Sequence, residues 1–269
     1  MEPGARWPVA LAFPLAALVA VASIGGIALP STYARETASW AAQGMGQDWV
    51  DVLVVAPFLT IAAGLALRGS RAFRLMLGGA LVYTAYSFVL YAFVVHFNAL
   101  FLVYCAALGL SCFSLAGLVG GLLREDASSW FDERAPVRVA GGFLVLVALA
   151  FGALWLAEVI PSLASGTPPA SIAEVGAFTN PVHVLDLALL LPAMLVSGLA
   201  LLRRRSFGYA LAPVLLGFNV LMPLAMAGMV AMMGRRGIPV DATPLYVLAA
   251  IAVGSAAVLA AFLRRLRPD

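Results

Sequence analysis

The stretch from Thr179 to Arg205, TNPVHVLDLALLLPAMLVSGLALLRRR, decides how the chain is read. Its centre is an unbroken apolar run, and three arginines close it. A helix of about 20 such residues covers the roughly 30 Å hydrocarbon thickness of a bilayer. Yet the run opens with His183 and Asp186, three residues apart and therefore on one helix face. Ionisable groups inside a span are costly and face a cavity or a partner. The stretch thus predicts a membrane helix with a polar task at one end.

Composition carries the same reading through the whole chain. Of 269 residues, 63% are hydrophobic and 11% charged, and the mean hydropathy is +1.01. Soluble domains sit near 45–50% apolar and about 25% charged, so the chain falls in the membrane class. All sixteen basic residues are Arg. Without a lysine amine, Schiff-base chemistry is excluded. The net charge of +3 does not indicate a nucleic-acid partner, because the arginines cluster at the ends of apolar runs, where membrane topology explains them. Cys105 and Cys112 share one apolar run, seven residues apart. That is about 10 Å along a helix, too far for a disulfide, and they read as buried, inert thiols.

Eight apolar runs have membrane length, at about 8–29, 48–67, 73–95, 99–123, 138–160, 181–202, 207–233 and 244–263. Thirteen arginines fall on one side of an eight-span arrangement. Arg35, Arg235 and Arg236 fall on the other. The positive-inside bias then puts both termini in the cytoplasm, with the protein in the cell inner membrane.

The run from Asp48, DWVDVLVVAPFLTIAAGLALRGSR, aligns with HVLDLALLLPAMLVSGLALLRRRS from His183 at a constant offset of 135. Asp51 meets Asp186, Pro57 meets Pro192, Arg68 meets Arg203 and Asp48 meets His183. ALP followed by Ser31 closes the first span as VIP followed by Ser162 closes the fifth. The first span therefore has a counterpart deep in the chain and reads as a retained helix rather than a cleaved signal. The predicted fold is all-α, a polytopic membrane protein of eight helices in two four-helix repeats, 1–135 and 136–269, within a single membrane domain. Four spans is an even number, so the repeats share one orientation, as in parallel-repeat transporters.

The candidate site follows from that plan. Asp48 and Asp51 share a helix face, as do His183 and Asp186. Asp51 stands 17 residues before Arg68, about 25 Å of helix, which predicts a position just inside the outer edge of the core. At a helix N-terminus such acids are also suited to capping and to the helix dipole. His96 and Asn98 form an outer turn, and Glu158 ends the fifth span on the same side. Asp48, Asp51, His96, Asn98, Glu158, His183 and Asp186 are thus expected to converge on one polar mouth, with Gln47 and Asn180 nearby. Pro57 and Pro192 remove backbone donors and free the carbonyls of Leu53 and Ala188, a pointer to a cavity. Tyr83, Ser87 and Tyr91 form a stripe on the third span, with Tyr86 beside it and Asn219 at a near-equivalent place on the seventh. The methionines of MAGMVAMMG, from Met226, read as flexible packing rather than a soft-metal path.

Two histidines on different helices, with no H-x-x-E-H, H-x₃-H or CxxC spacing, give only a weak metal signature, and no cofactor is expected. There is no P-loop, dinucleotide fingerprint or nucleophile elbow. The preferred function is a transporter or channel with Asp51 and Asp186 as coupling or substrate-binding acids. His183 would be their titratable neighbour. One alternative is an intramembrane enzyme, using a metal or an acid–base pair on a lipid-like substrate, with His96, His183, Asp51 and Asp186 as its inner residues. Another is a sensory or accessory subunit whose cytoplasmic loop, LLREDASSWFDERAPVR from Leu122, meets a partner or the headgroups. The expected partners are the lipid bilayer and an unidentified small molecule or ion, with a second copy or another membrane protein left open.

Overall fold

The computed structural model describes residues 6–240 and 243–267, so both chain ends lie outside the described residues. Eight helices among them are long and apolar enough to cross a membrane. They are α1 (Arg6–Ala28), α2 (Ala38–Leu67), α3 (Arg71–Phe93), α4 (Phe101–Arg124), α5 (Val137–Ser165), α6 (Pro181–Leu202), α7 (Ser206–Arg235) and α8 (Leu245–Leu263). No strand forms among the described residues; one isolated bridge joins Phe131 to Leu266. Apolar side chains such as Leu53, Ile61, Leu102, Phe113, Leu146 and Val253 stand exposed on the outer faces of the bundle. In water so much apolar surface would drive association; against lipid it is the expected exterior.

α3 and α7 are the most buried helices and cross at the centre. They approach through glycine. A Cβ on Gly79 would stand 2.9 Å from Gly217 Cα and 2.8 Å from the Val214 carbonyl oxygen. α2 meets α7 in the same way, since a Cβ on Gly228 would lie 2.6 Å from the Gly46 carbonyl oxygen. Small residues let backbones pack this closely where burial of apolar surface supplies no drive between helices in lipid.

One helix boundary differs from the sequence reading in a way that matters. α2 starts at Ala38, ten residues before the expected position, after Thr37 accepts a hydrogen bond from Trp40 N at 3.1 Å. The added segment, ASWAAQGMGQ, is too polar to register as a membrane run. It is helical because its polar groups turn inward; Gln47 is 5% exposed. Asp48 and Asp51 therefore lie inside the helix and cap nothing. Asp51 stands about 20 Å from the start of α2, near its midpoint.

Two further details differ from what composition suggested, the thiols and the aromatic pair of the loop after α4. Cys105 and Cys112 are exposed on the outer face of α4, whereas Tyr104, Ala107, Ser111 and Ser114 fill its buried face. An apolar run carries no hydropathic contrast between its lipid side and its protein side, so nothing in the sequence told the two apart. In the loop after α4, Trp130 and Phe131 turn into the protein, whereas Arg124, Glu125, Asp126, Glu133 and Arg134 stay exposed. Trp130 and Phe131 are 6% and 3% exposed. Phe131 packs on Phe262 and Tyr209, with ring centroids 4.6 and 5.6 Å away. The guanidinium carbons of Arg71 and Arg74 lie 5.4 and 5.6 Å from the Trp130 ring. Arg267 N donates to Trp130 O at 2.7 Å, and Asp132 N to Arg265 O at 2.9 Å. The loop is an internal clamp that ties α3, α7 and the end of α8 together.

Candidate functional site

The residues expected to share one mouth fall into three groups. The first surrounds Asp48 and Asp51, each 1% exposed. Asp48 accepts from the Tyr33 hydroxyl at 2.6 Å on one oxygen and from Tyr91 at 2.9 Å on the other. Ser23 adds a further contact. Asp51 accepts from the Tyr83 hydroxyl at 2.6 Å, with Gln47 beside it. Among the described residues neither acid forms an ion pair. Their partners are neutral donors. Burial, followed by the Asp48 carboxyl, pushes the Tyr33 phenol well above its usual value, so it stays protonated and donating. The space for Asp48 is made by Gly26, because a Cβ there would collide with the Asp48 carboxyl oxygen.

The second group lies on α5 and α6. The Trp155 indole N–H donates to Asp186 Oδ2 at 2.8 Å, and Tyr86 of α3 brings its hydroxyl to the same carboxyl. His183 packs against Trp155, with ring centroids 4.6 Å apart and the planes tilted by 45°. Its Nε2 is 3.5 Å from Glu158 Oε2, ion-pair distance without hydrogen-bond geometry. Ser171 donates to Glu158 at 2.6 Å, and Asn180 donates to Ser171 at 3.0 Å. The Asn180 side-chain oxygen also accepts from the backbone N–H of Val182 and His183, capping α6.

The third group is separate. His96 binds Glu36 through its backbone N–H at 2.7 Å and through Nδ1 at 3.1 Å. Asn98 accepts from Leu100 N at 2.8 Å and fixes the turn before α4. The two histidines thus sit on different carboxylates. Among the described residues no three His, Cys, Asp or Glu side chains gather where they would hold a metal ion. Tyr33, Glu36, Trp155 and Ser171 were not anticipated. Trp155 carried one legible signal, since it stands i,i+3 with Glu158 in an otherwise apolar run and so shares its face.

Asp51 and Asp186 occupy the same local backbone. Asp51–Val55 and Asp186–Leu190 are each a π-helical turn inside a longer helix. In each, the next residue's N–H donates to the aspartate's own carbonyl, Ala56 to Asp51 and Leu191 to Asp186. Pro57 and Pro192 follow directly, so each proline is accommodated at the end of a widened turn rather than by a simple α-helical kink. π-turns occupy well under about 1% of residues and favour functional sites.

A cavity of about 200 Å³ lies between the first four helices and the last four. Trp40, Tyr91, Trp155, Phe218, Asn219 and the carboxyl-bearing Asp186 are on its wall. Val182 and Met194 line it along α6, which makes it about 18 Å long at 1.5 Å per residue. Ser87 also lines it; its buried Oγ lies near the Tyr83 hydroxyl but makes no well-formed hydrogen bond. Asp48 and Asp51 do not line this cavity, although their partners Tyr33, Tyr91 and Gln47 do. Compared with protein families, with curated proteins and with solved structures, the chain matches none.

Proposed function

We propose that the chain is a transport protein of the cell inner membrane, a small secondary transporter or channel built as two parallel four-helix repeats with both ends cytoplasmic. The observation that carries this reading is the elongated cavity between the two sets of four helices, with Asp186 on its wall. Binding sites at the interface of repeats, where helices are locally irregular, are a recurring transporter plan. The twin π-turns at Asp51 and Asp186, 135 residues apart, support the duplication.

The two copies differ in packing. α2 closes on α7 through Gly46 and Gly228, and Asp51 is sealed. The corresponding approach, of α6 to α3, is loose, and there the cavity opens onto Asp186. On this reading Asp186 meets the substrate, whereas Asp48 and Asp51 form a proton-holding network one helix away.

The test needs no substrate. In a background lacking Cys105 and Cys112, Ser87→Cys and Asn219→Cys are probed with a membrane-impermeant thiol reagent in right-side-out and inverted vesicles. Transport predicts labelling from both faces. Labelling from one face alone would remove transport and leave a one-sided binding pocket.

A further inference from the structure

We infer that the cavity binds a lipophilic organic monocation, such as a quaternary ammonium or protonated amine with an aromatic or branched apolar body. The inference rests on the cavity reading above and names its ligand class.

Three features converge. The first is charge. No Arg, Lys or His is among the described residues lining the cavity, and Asp186 is 7% exposed. Its partners, Trp155 and Tyr86, are neutral donors. The nearest basic group is His183, which is turned toward Glu158. Even with His183 protonated, Asp186, Glu158 and His183 together carry one negative charge. A buried carboxylate left without a counter-ion is unfavourable by several kcal/mol, so a cation entering the cavity meets a vacancy in the charge pattern, and an anion meets repulsion.

The second feature is the wall. Trp40, Tyr91, Trp155 and Phe218 present aromatic rings to the space. Aromatic faces attract quaternary and protonated amines, and the attraction grows when water is excluded. A strongly hydrated inorganic ion gains little from such walls, and Asp186 is the one carboxylate among the described lining residues. The third is the remaining lining. Met194, Met222, Met226 and Met229 all reach the cavity. Flexible, polarisable methionines adapt to apolar bodies of varied shape. The volume, about 200 Å³, holds on the order of fifteen waters at about 10–15 Å³ each, which is space for a small organic molecule rather than a bare ion.

The experiment uses the full chain in nanodiscs and measures equilibrium binding of benzyltrimethylammonium and of neopentylbenzene, its neutral isostere, each corrected for uptake by empty nanodiscs. The expected result is one cation per chain, bound at least tenfold more tightly than the isostere. In Asp186→Asn the cation should fall to the isostere's affinity. Trp155→Phe, which keeps an aromatic ring but loses the N–H donor, should retain the preference for the cation. Equal or tighter binding of the neutral isostere to the native chain overturns the inference, as does a preference that survives in folded Asp186→Asn. Should that variant not fold, the comparison of the two ligands on the native chain decides alone. Binding is read without translocation. A cation that binds to a protein labelled from only one face keeps this inference and removes transport, and the reverse pattern keeps transport and removes the ligand class.

Discussion

The Tyr83 hydroxyl donates to Asp51 Oδ1 at 2.6 Å, joining α3 to the π-turn of α2 where both side chains are buried. A bond of this kind matters chiefly through what its loss leaves behind. Tyr83→Phe removes the donor and leaves the acid with Gln47 alone, a cost of about 1–3 kcal/mol for an under-satisfied buried group. Asp51→Asn in the same background should recover part of it, since a neutral amide needs less. The measurement is a double-mutant cycle on unfolding midpoints in detergent. Independent, additive losses would show that the contact carries no coupling.

Gly26 and Asp48 set a second, steric test. A methyl group at residue 26 would occupy the place of the Asp48 carboxyl. Gly26→Ala should therefore destabilise by about 1–3 kcal/mol through overpacking, and it should also displace Asp48 from Tyr33 and Tyr91. Asp48→Ser, shorter by one branch, should relieve the clash, so the double variant should unfold at a higher temperature than Gly26→Ala alone. If the second change lowers the midpoint further, the crowding lies elsewhere.

These buried networks explain which parts of the molecule were legible beforehand. The eight helices could be read because apolar length is a strong signal, and the frame Asp51, Pro57, Arg68 against Asp186, Pro192, Arg203 marked two places that share a π-turn. The residues from Ala38 to Gln47 could not be read as part of α2, because a buried polar helix face and a solvated loop have the same composition. That one boundary moved Asp48 and Asp51 from a helix end to a helix interior. The grouping of the site was hidden for a related reason. His96, Glu158 and His183 lie toward one end of the bundle, but depth alone does not say which helices are neighbours. Glu36 and Ser171, both in connecting segments, decide where the histidine and the glutamate turn.

The loop clamp is tested through Phe131. Its ring packs on Tyr209 and Phe262, and Phe131→Ala should cost about 3–5 kcal/mol of local packing. The loss should fall on the end of α8, which is held to the loop by Arg265 and Arg267 backbone bonds. Trypsin cleavage after Arg264 or Arg265 should accelerate in the variant while the helices around Asp186 stay protected. Uniform acceleration across the chain would make Phe131 a global core residue instead of part of a local clamp.

The outward-facing thiols give the last prediction, which also bears on insertion. Cys105 and Cys112 stand on the exposed face of α4, seven residues or about 10 Å apart. A thiol reacts through its thiolate, and a face turned toward lipid admits a permeant, lipid-soluble reagent more readily than a charged one. In native membranes a membrane-permeant maleimide should label both positions, whereas an impermeant sulfonated reagent should label neither from either side. After transfer to detergent micelles the impermeant reagent should gain access, since micelles exchange and shield less uniformly than a bilayer. Prompt labelling by the impermeant reagent in intact vesicles would place this face of α4 against water, and the eight-helix bundle would then need a different neighbour from lipid along that side.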